Sequence, residues 1–428
     1  MTATTEEAYS TKASGYYTLA ILTTVYSFNF IDRQLLAILQ VPIKAELLLS
    51  DGQLGLLTGF AFALFYVIAG LPIASFADRS NRRNIVVWSL AIWSFMTAVS
   101  GLAQNYIQLL LARVGVGVGE AGCSPPSHSM ISDIFPEDQR ATGLSIYSLG
   151  INIGILFGFI LGGWLNEFFG WRIAFMVVGI PGILLAVLLR TTVKEPIRGH
   201  SESRSTETDS HTFSEVMNTL WSKKSFRYLA VAGGMSAFAG YGMTNWMPPF
   251  LYRIHEMSTG EIGTWLGLGI GILGGLGTFL SGWLADKFGK KDMRWYMWIP
   301  AIGSLIMVPS VIIGLNSEEK YVTLIVMMLP TFLSNVFLSV CIAMTHGLVG
   351  LRMRAVGSAV FFFIINILGL ALGPASIGFL SDYFEPNYGV DSIRYSMIIL
   401  IPLAALIASA CYFIAAKTLR DDLKSAPA

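Results

Sequence analysis

The sequence has little charge and almost no cysteine. Charged residues make up 13% of the 428 residues and apolar residues 54%, whereas soluble proteins carry about twice that charge. A water-soluble globule cannot bury so much apolar surface. The three cysteines, Cys123, Cys341 and Cys411, all lie in apolar runs, which argues against a disulfide framework. The composition therefore excludes disordered, disulfide-rich secreted and nucleic-acid-binding proteins, and it indicates an integral membrane protein.

Signatures of metal binding and catalysis are also lacking. The five histidines form no H-x-x-x-H pattern and the cysteines no C-x-x-C pattern, so we predict no metal site and no cofactor. Ser127, His128 and Asp133 lie in one predicted helix, at spacings that cannot align a nucleophile, a base and an orienting acid. We therefore expect no enzyme. The polar N-terminal segment lacks the features of a cleaved signal peptide, so the first apolar helix is expected to direct insertion.

Long apolar runs dominate the rest of the chain. Runs of 18 or more apolar residues indicate membrane-spanning helices. We predict an all-α integral membrane fold of twelve such spans in two pseudo-symmetric halves, 1–190 and 226–428, joined by a cytoplasmic linker, 191–225. Within that linker, 211–225 (HTFSEVMNTLWSKKS) is expected to form an amphipathic surface helix. The predicted spans are 16–40, 53–76, 84–103, 106–133, 139–166, 171–190, 226–251, 260–284, 295–315, 321–347, 355–380 and 394–417.

The basic residues predict the orientation in the membrane. If the N-terminus is cytoplasmic, the 28 Lys and Arg residues favour the inner loops by roughly four to one, which is a strong positive-inside signal. We therefore expect a multi-pass protein of the cell (inner) membrane with both termini in the cytoplasm.

The two halves share short motifs in the same order. The loop 74–83 (ASFADRSNRR) recurs as 282–291 (GWLADKFGKK), and 140–143 (RATG) recurs as 354–357 (RAVG). Two similar halves in one orientation are typical of transporters that rock about a central site.

These motifs resemble the major facilitator superfamily, whose loop pattern G-x-L-x-D-R/K-x-G-R/K-R/K is met in full at 282–291. Arg113 and Gly117 also match the family's Arg-x-x-x-Gly pattern. Within the superfamily, Asp32-Arg33, 119–128 (GEAGCSPPSH) and 131–136 (ISDIFP) are most similar to the spinster-type lipid transporters. The anion:cation symporters of organic anions share the Asp-Arg pair and the Gly-x-Gly-Glu of the fourth span. The resemblance implies transport of an amphipathic lysophospholipid or sphingoid lipid or, alternatively, of a small sugar-acid anion.

Four ionisable residues are predicted near the bilayer centre: Asp32, Arg33, Arg113 and Glu120. A charge placed there costs at least a few kcal/mol, so it indicates function by default. We expect one cluster between the first and fourth spans. Our hypothesis is that Asp32 and Glu120 exchange protons while Arg33 or Arg113 alternates between a carboxylate and an anionic substrate group. The alternative is a pair of static ion pairs that hold the two helices together.

The C-terminal half offers aromatic rather than charged side chains. We predict that they form an apolar cavity wall facing the charged one, which would suit an amphipathic substrate. Core or lipid-facing positions are the alternative. The residues assigned to substrate binding on this wall are Tyr241, Asn245, Trp246, Phe361 and Asn366.

Two further sets are expected to act in the transport cycle. Charged residues of the repeated loops are predicted to form a cytoplasmic gate, or alternatively only to bind anionic lipid. Small residues in the fifth and eighth spans are predicted to let the two halves slide, or alternatively only to pack closely. The gate set is Asp78, Arg79, Arg82, Arg83, Asp133, Asp286, Lys287 and Lys290, and the interface glycines are Gly150, Gly154, Gly158, Gly267 and Gly271. We expect a monomer whose partners are membrane lipids, protons and the substrate.

Overall fold

The computed structural model describes residues 12–77, 79–198, 213–350 and 353–425. Within these ranges the chain forms twelve long helices and no strand, so all twelve predicted spans are helical. The helices of the first half are α1 (Lys12–Leu47), α2 (Asp51–Gly55, Leu56–Phe60 and Ala61–Ala77), α3 (Arg82–Ser100), α4 (Tyr106–Glu120 and Ser124–Ile134), α5 (Glu137–Phe169) and α6 (Trp171–Thr192).

The second half begins after a short linker helix, Phe213–Ser222. That helix buries Val216 and Leu220 completely in the apolar core of the second half, while Trp221 is 49% exposed, so a helix with two different faces forms within the predicted range 211–225. The helices of the second half are α7 (Lys224–His255), α8 (Thr259–Leu268, Gly269–Leu273 and Gly274–Gly289), α9 (Trp295–Asn316), α10 (Lys320–Leu333 and Phe337–Gly347), α11 (Arg354–Ile365, Asn366–Ala371 and Leu372–Tyr388) and α12 (Ser392–Lys424).

Five of the helices are interrupted, which the apolar pattern does not reveal. The middle segments of α2, α8 and α11 are π turns, which recur at functional sites because they widen the helix locally. The α4 helix breaks after Glu120 and resumes at Ser124, and α10 breaks at Ser334–Val336. The charged residue Glu120 therefore lies at the end of a helical segment rather than within one.

Length and composition alone mark seven segments of the described chain as able to cross a membrane, and one of these, Val356–Lys424, comprises both α11 and α12. Helices α1, α3, α4 and α7 are not among them. Two of these four, α1 and α4, carry the predicted central charges.

An even number of antiparallel helices brings the start of α1 and the end of α12 to one face of the bundle, which we call the terminal face. The start of the second half lies on the same face, since Lys223, just before α7, donates from Nζ to Ser425 O, just after α12, at 2.7 Å. The opposite face is called the distal face.

The two halves meet on the distal side. Asn166 Nδ2 donates to Thr259 Oγ1 at 3.1 Å, and the backbone N–H of Gly260 donates to Glu167 Oε2 at 2.7 Å. Helices α5 and α8 come so close that a Cβ on Gly263 would lie 2.2 Å from the carbonyl oxygen of Phe159. The two halves are therefore in close contact at the distal face.

The glycines of α5 do not form the predicted contact between the halves. Gly150, Gly154 and Gly158 pack against the backbone of α1, which belongs to the same half. The prediction was wrong for these three, because a four-residue repeat defines one helix face but does not say which neighbour covers it. In α8, by contrast, Gly267 and Gly271 do face α5, where a Cβ would lie 2.8 Å from Leu156 O and 3.0 Å from Leu156 Cβ, respectively.

Candidate functional site

The four central charges form two ion pairs between α1 and α4. Arg33 Nε donates to Glu120 Oε2 at 2.8 Å. Arg113 Nη1 lies 3.3 Å from Asp32 Oδ2 and 3.4 Å from Asp32 Oδ1. The structure thus brings together all four residues that the sequence placed in one cluster.

Helix geometry explains why the neighbouring residues Asp32 and Arg33 pair with two different residues of α4. Adjacent residues on a helix point about 100° apart, so Asp32 and Arg33 face different surroundings. Arg113 and Glu120 are seven residues apart, which is about two turns, and therefore lie on one face of α4. Each residue of α1 consequently meets a different level of α4.

The two carboxylates differ in how well they are bonded. Asp32 also accepts a hydrogen bond from Thr97 Oγ1 of α3 at 2.8 Å, and both of its oxygens lie near Arg113. Glu120 is fully buried, and its Oε1 has no hydrogen-bond partner within the described ranges. Thr97 was not foreseen, since a single threonine in an apolar span gives no signal.

Arg33 is the accessible member of the cluster, with 17% of its side chain exposed compared with 2% for Arg113. Its guanidinium carbon lies 4.9 Å from the ring centroid of Phe30, 4.7 Å from that of Phe62 and 5.2 Å from that of Tyr66. Tyr241 of α7 packs against the apolar core of the second half and also against the cluster formed mainly by the first half. Arg33 is therefore the charge best placed to meet a molecule in the space between the halves.

Two of the predicted aromatic cavity residues are packed in the protein core instead. Trp246 is fully buried, and its Nε1 donates to Pro374 O of α11 at 2.8 Å. Phe361 is also fully buried and fills the space above Gly233. Their assignment to substrate binding was wrong, because an aromatic residue in an apolar helix gives the same pattern in a core and in a cavity wall.

The other predicted residues of this wall have mixed positions. Asn245 is 8% exposed, and its Nδ2 donates to the backbone oxygen of Tyr241 at 2.9 Å. The backbone oxygen of Asn245 accepts from Gln40 Nε2 at 2.7 Å. Asn366 is half-buried at the start of the π turn of α11. Tyr241 is thus the member of the set that packs against apolar clusters of both halves.

A small apolar cleft with a free volume of about 20 Å³, which is room for about one water molecule, lies between α7, α8 and α10. Methionine is its commonest lining residue, and this flexible side chain adapts to different apolar shapes. The methionines that line it are Met243, Met247, Met327 and Met328.

The predicted gate residues of the first half bind to their own half and to the segment after α6. Arg82 is 2% exposed, contacts Asp133 and donates from Nε to Glu195 Oε1 at 2.8 Å. Arg83 donates from its backbone N–H to Glu195 Oε2 at 2.7 Å. Arg79 is exposed, whereas Asp78 lies outside the described residues. Asp133 therefore belongs to this network, and Glu195 is an addition that the sequence did not indicate.

In the second half the corresponding charges are largely exposed. Asp286 accepts a hydrogen bond from Tyr296 Oη at 2.6 Å, and Lys287 lies 4.7 Å from the Trp283 ring centroid. Lys290 is exposed. These described contacts stay within the second half and do not reach the first.

A second group of buried charge, which the sequence reading missed, lies at the distal face. We call it the distal cluster: Lys44, Asp51, Arg253, Ser381 and Asp382. Asp51 Oδ1 accepts from Lys44 Nζ at 2.8 Å and from Arg253 Nη2 at 2.7 Å, and Oδ2 accepts from Arg253 Nη1 and Ser381 Oγ, both at 2.7 Å. The Asp382 carboxylate accepts from the backbone N–H of Asp51 and of Gly52, both at 2.8 Å. The cluster joins α2 of the first half to α7 and α11 of the second.

A sequence signal for part of this cluster exists. Ser50 and Gln53 form a capping box, in which the Gln53 N–H donates to Ser50 Oγ at 3.2 Å and the Ser50 N–H donates to Gln53 Oε1 at 2.9 Å. The S-x-x-Q spacing marks a helix start, which places Asp51 at the positive end of α2.

Twelve helices in two halves, in contact at the distal face and with two ion pairs at the centre of the first half, match a known family. The model of the Major Facilitator Superfamily matches residues 22–374. The chain belongs to the major facilitator superfamily. It is thus a multi-pass membrane transporter, and the expected spinster-like character is confirmed by a solved structure described as a bacterial homolog to the human lysosomal transporter Spinster in an inward-facing and unoccupied conformation. The TM-score is 0.90 at 32% identity, over 96% of this chain and 99% of that one.

Relatives with assigned functions differ in what they carry. An MFS-type efflux pump of Mycolicibacterium smegmatis is 31% identical over 408 residues, which is 95% of this chain and 93% of the pump. A cis,cis-muconate transport protein of Acinetobacter baylyi is 31% identical over 363 residues, which is 82% of this chain and 84% of that protein. The similarity therefore establishes a transporter of this superfamily and leaves its substrate open.

Proposed function

We propose that this transporter carries an amphipathic molecule with an acidic head group, of the lysophospholipid or sphingoid type, and couples its movement to protons by alternating access. The observation that carries the proposal is the Arg33–Glu120 pair. Its guanidinium is partly exposed while its carboxylate is fully buried. An acidic head group can therefore reach Arg33 and compete with Glu120 for it, because the planar guanidinium can donate two parallel hydrogen bonds to a phosphate or to a carboxylate.

Proton coupling follows from that competition. When a substrate takes Arg33, Glu120 loses its partner, and an unpaired charge in a buried site is costly enough to favour protonation. The unbonded Oε1 of Glu120 supports the same role, since a carboxylate in this state gains little from being charged. We assign proton exchange first to Glu120 and second to Asp32, whose pairing with Arg113 and Thr97 is more complete.

The apolar part of the substrate is proposed to pack against the methionines of the apolar cleft, which has to widen from its present volume of about 20 Å³ when the substrate enters. The charges of the first half and the apolar wall of the second would then meet the two ends of one amphipathic molecule. Apolar area buried there would add affinity in proportion to chain length.

A small organic anion is the second candidate. It is favoured by the Asp32-Arg33 pair, which resembles that of the anion:cation symporters, and by the similarity to a muconate transport protein. Such a substrate would use Arg33 and Glu120 in the same way but would leave the methionine cleft empty. The two candidates therefore differ in whether affinity depends on an alkyl chain.

The rest of the cycle is proposed from the two faces. With both termini in the cytoplasm of an inner-membrane monomer, the closed distal face is the external one. Opening it requires the distal cluster to separate, and closing the terminal face would bring the charged loops of both halves together as the predicted gate. Gly267 and Gly271 would allow α8 to move along α5 during this change.

Transport by reconstituted protein tests the proposal. Proteoliposomes with an internal pH dye are supplied with lysolipids or hexonates under an imposed pH gradient. We expect lysolipid movement accompanied by proton movement, which Glu120→Gln abolishes and Arg33→Lys reduces at least tenfold, while exposed Glu385→Gln, a matched carboxylate on α11, retains it. Transport of hexonates alone would favour the second candidate. Proton-coupled transport retained in full by both Glu120→Gln and Asp32→Asn would contradict the coupling mechanism.

A further inference from the structure

Arg33 occupies a site whose chemistry is that of a receptor for a positive charge. Three aromatic rings surround its guanidinium, from Phe30 on α1 and from Phe62 and Tyr66 on α2, with centroid distances of 4.9, 4.7 and 5.2 Å. We call these three residues the aromatic cage. The buried carboxylate of Glu120 closes the site from α4 at 2.8 Å. Rings of this kind attract cations through their negative faces, and quaternary ammonium groups are recognised in such cages.

A second observation shows that the carboxylate has unused capacity. Glu120 Oε2 accepts the hydrogen bond from Arg33, whereas Oε1 is buried and has no partner in the part of the chain that the structure describes. Arg33 is bound through one nitrogen rather than through two parallel hydrogen bonds, which is the weaker way for a guanidinium to hold a carboxylate. The Arg33 guanidinium therefore leaves one oxygen of Glu120 available to another donor or cation.

The two arginines differ in their freedom to leave. Arg113 is 2% exposed and held by Asp32, whose carboxylate is supported by Thr97. Arg33 is 17% exposed and has one hydrogen bond to Glu120. If one guanidinium moves during the cycle, it is Arg33, and its departure leaves the aromatic cage and Glu120 empty together.

We propose that the aromatic cage and Glu120 form a binding site for the ammonium group of an amphipathic substrate, and that Arg33 holds this site when no substrate is bound. The inference rests on the proposed function, in which Arg33 leaves Glu120 to meet an acidic group. The ammonium group then takes the place of the guanidinium. The site thereby selects molecules that carry an acidic and an ammonium group close together on one chain.

Charge balance makes the exchange favourable for such a molecule. Glu120 trades a guanidinium for an ammonium, and Arg33 trades Glu120 for the acidic group of the ligand. While the ammonium group is bound, no charge is left without a partner, which avoids the main cost of separating a buried ion pair. Protonation of Glu120 then belongs to the steps in which Arg33 has left and the ammonium group is not bound, so the proton and the ammonium group compete for this carboxylate. A ligand with an acidic group alone leaves Glu120 unpaired, and a ligand with an ammonium alone leaves Arg33 unpaired.

A pair of ligands that differ in one atom tests the proposal on the unaltered chain. Octylphosphocholine and octyl 3,3-dimethylbutyl phosphate have the same shape, but the second has carbon in place of the charged nitrogen. We expect the full-length protein in nanodiscs to bind the first about tenfold more tightly, because ring and carboxylate contacts to a desolvated cation together exceed the 1.4 kcal/mol that corresponds to tenfold. Equal affinities would overturn the proposal.

Substitutions locate the effect. Phe62→Leu should bring the affinity ratio of the two ligands close to one, whereas Phe279→Leu, a matched change at a 69% exposed ring of α8, should leave it unchanged. Arg33→Met removes the internal cation, so octyltrimethylammonium should bind more tightly to this variant than to the unaltered protein. A ratio that Phe62→Leu leaves unchanged, or tighter binding of octyltrimethylammonium to the unaltered protein, would place the ammonium group elsewhere and contradict the assignment.

The same ligands separate this inference from the proposed function. If the dimethylbutyl phosphate binds as well as octylphosphocholine and depends on Arg33, the anionic site stands and the cation site fails. If neither ester binds, the proposed function fails and takes the inference with it.

Discussion

The central site and the distal cluster each bury a carboxylate, but the two carboxylates are bonded to very different degrees. Asp51 accepts four hydrogen bonds, which come from two basic side chains and one serine. Glu120 accepts one, from Arg33, and its second oxygen is unbonded within the described ranges. Both side chains are almost inaccessible, at 1% and 0% exposure.

The difference indicates what each group is suited to do. A buried charge that is fully paired and hydrogen-bonded holds its neighbours in one arrangement, because removing any partner leaves an uncompensated charge. A buried charge with unused bonding capacity gains from a new partner or from a proton. On this argument the distal cluster stabilises the closed distal face, and the central site is the one that changes partners.

The largest effect is expected from Asp51→Asn. The change leaves Lys44 and Arg253 without a counter-charge, and breaking a buried pair in this way costs about 3–5 kcal/mol. Since Lys44 and Arg253 keep 24% and 12% of their side chains exposed, we expect the lower end of that range, which is a shift of about a hundredfold toward an open distal face. Spin labels at exposed Leu102 and Glu318, one in each half, report it as a longer distance.

The control for this variant is Asp391→Asn. Asp391 pairs with Arg394 at 3.2 Å within the second half and is 40% exposed, so its loss should leave the distance between the labels unchanged. A distance that is equally unaffected by Asp51→Asn would refute the role of the distal cluster in closure.

A smaller shift is expected from Gly263→Ala. The added Cβ would lie 2.2 Å from the carbonyl oxygen of Phe159, and overlap with backbone can be relieved only by moving α5 and α8 apart. Overpacking of this kind costs about 1–3 kcal/mol, here against the closed distal face. Gly158→Ala is the matched control, because its Cβ would lie 3.0 Å from Ile31 within one half. It should lower the melting temperature without changing the distance between the labels, and the opposite pattern would contradict the assignment of these two faces.

Asp382→Asn is expected to have a modest effect. The Asp382 carboxylate bonds two backbone N–H groups at the start of α2, and the loss of its charge at a helix N-terminus costs about 1 kcal/mol. The distal face should therefore open about fivefold more often. Asp422→Asn offers a matched cap, because Asp422 bonds the N–H of Ser225 at the start of α7 within the second half. If both variants lengthen the distance between the labels equally, the loss of a helix cap explains the result, and Asp382 has no specific role in closing the distal face.

The fold was largely predictable from sequence because apolar runs of spanning length leave few alternatives. The central pairs were predictable for a related reason, since Asp32, Arg33, Arg113 and Glu120 are conspicuous in spans with almost no other charge. What a charge costs in lipid is a property of the residue and its depth, and both can be estimated from the sequence.

The sequence did not predict which neighbouring helix covers a given helix face, nor which charged residues pair with each other. The glycine repeat of α5 identified a smooth face but not the helix that covers it, which is α1. Trp246 and Phe361 read as cavity residues because apolar packing and cavity lining use the same side chains. Asp51 and Arg253 went unnoticed because charges at helix ends are common in membrane proteins, and their pairing depends on how the two halves meet.

The smallest effect is expected where the ion pairs are exposed. On the terminal face, the hydrogen bond from Arg294, supported by Arg420, holds the pKa of the Asp292 carboxyl well below its usual range. A lowered pKa in the folded state contributes stability above the unfolded value of about 3.9, and this contribution is lost as the pH falls below it. Because Arg294 and Arg420 keep 37% and 54% of their side chains exposed, Asp292→Asn should lower the melting temperature at pH 7 by no more than about 2 °C. The difference from the unaltered protein should narrow progressively below about pH 4 and also in high salt. A difference that widens on acidification would mean that Asp292 is stabilised in its protonated form, and would contradict this account of the terminal face.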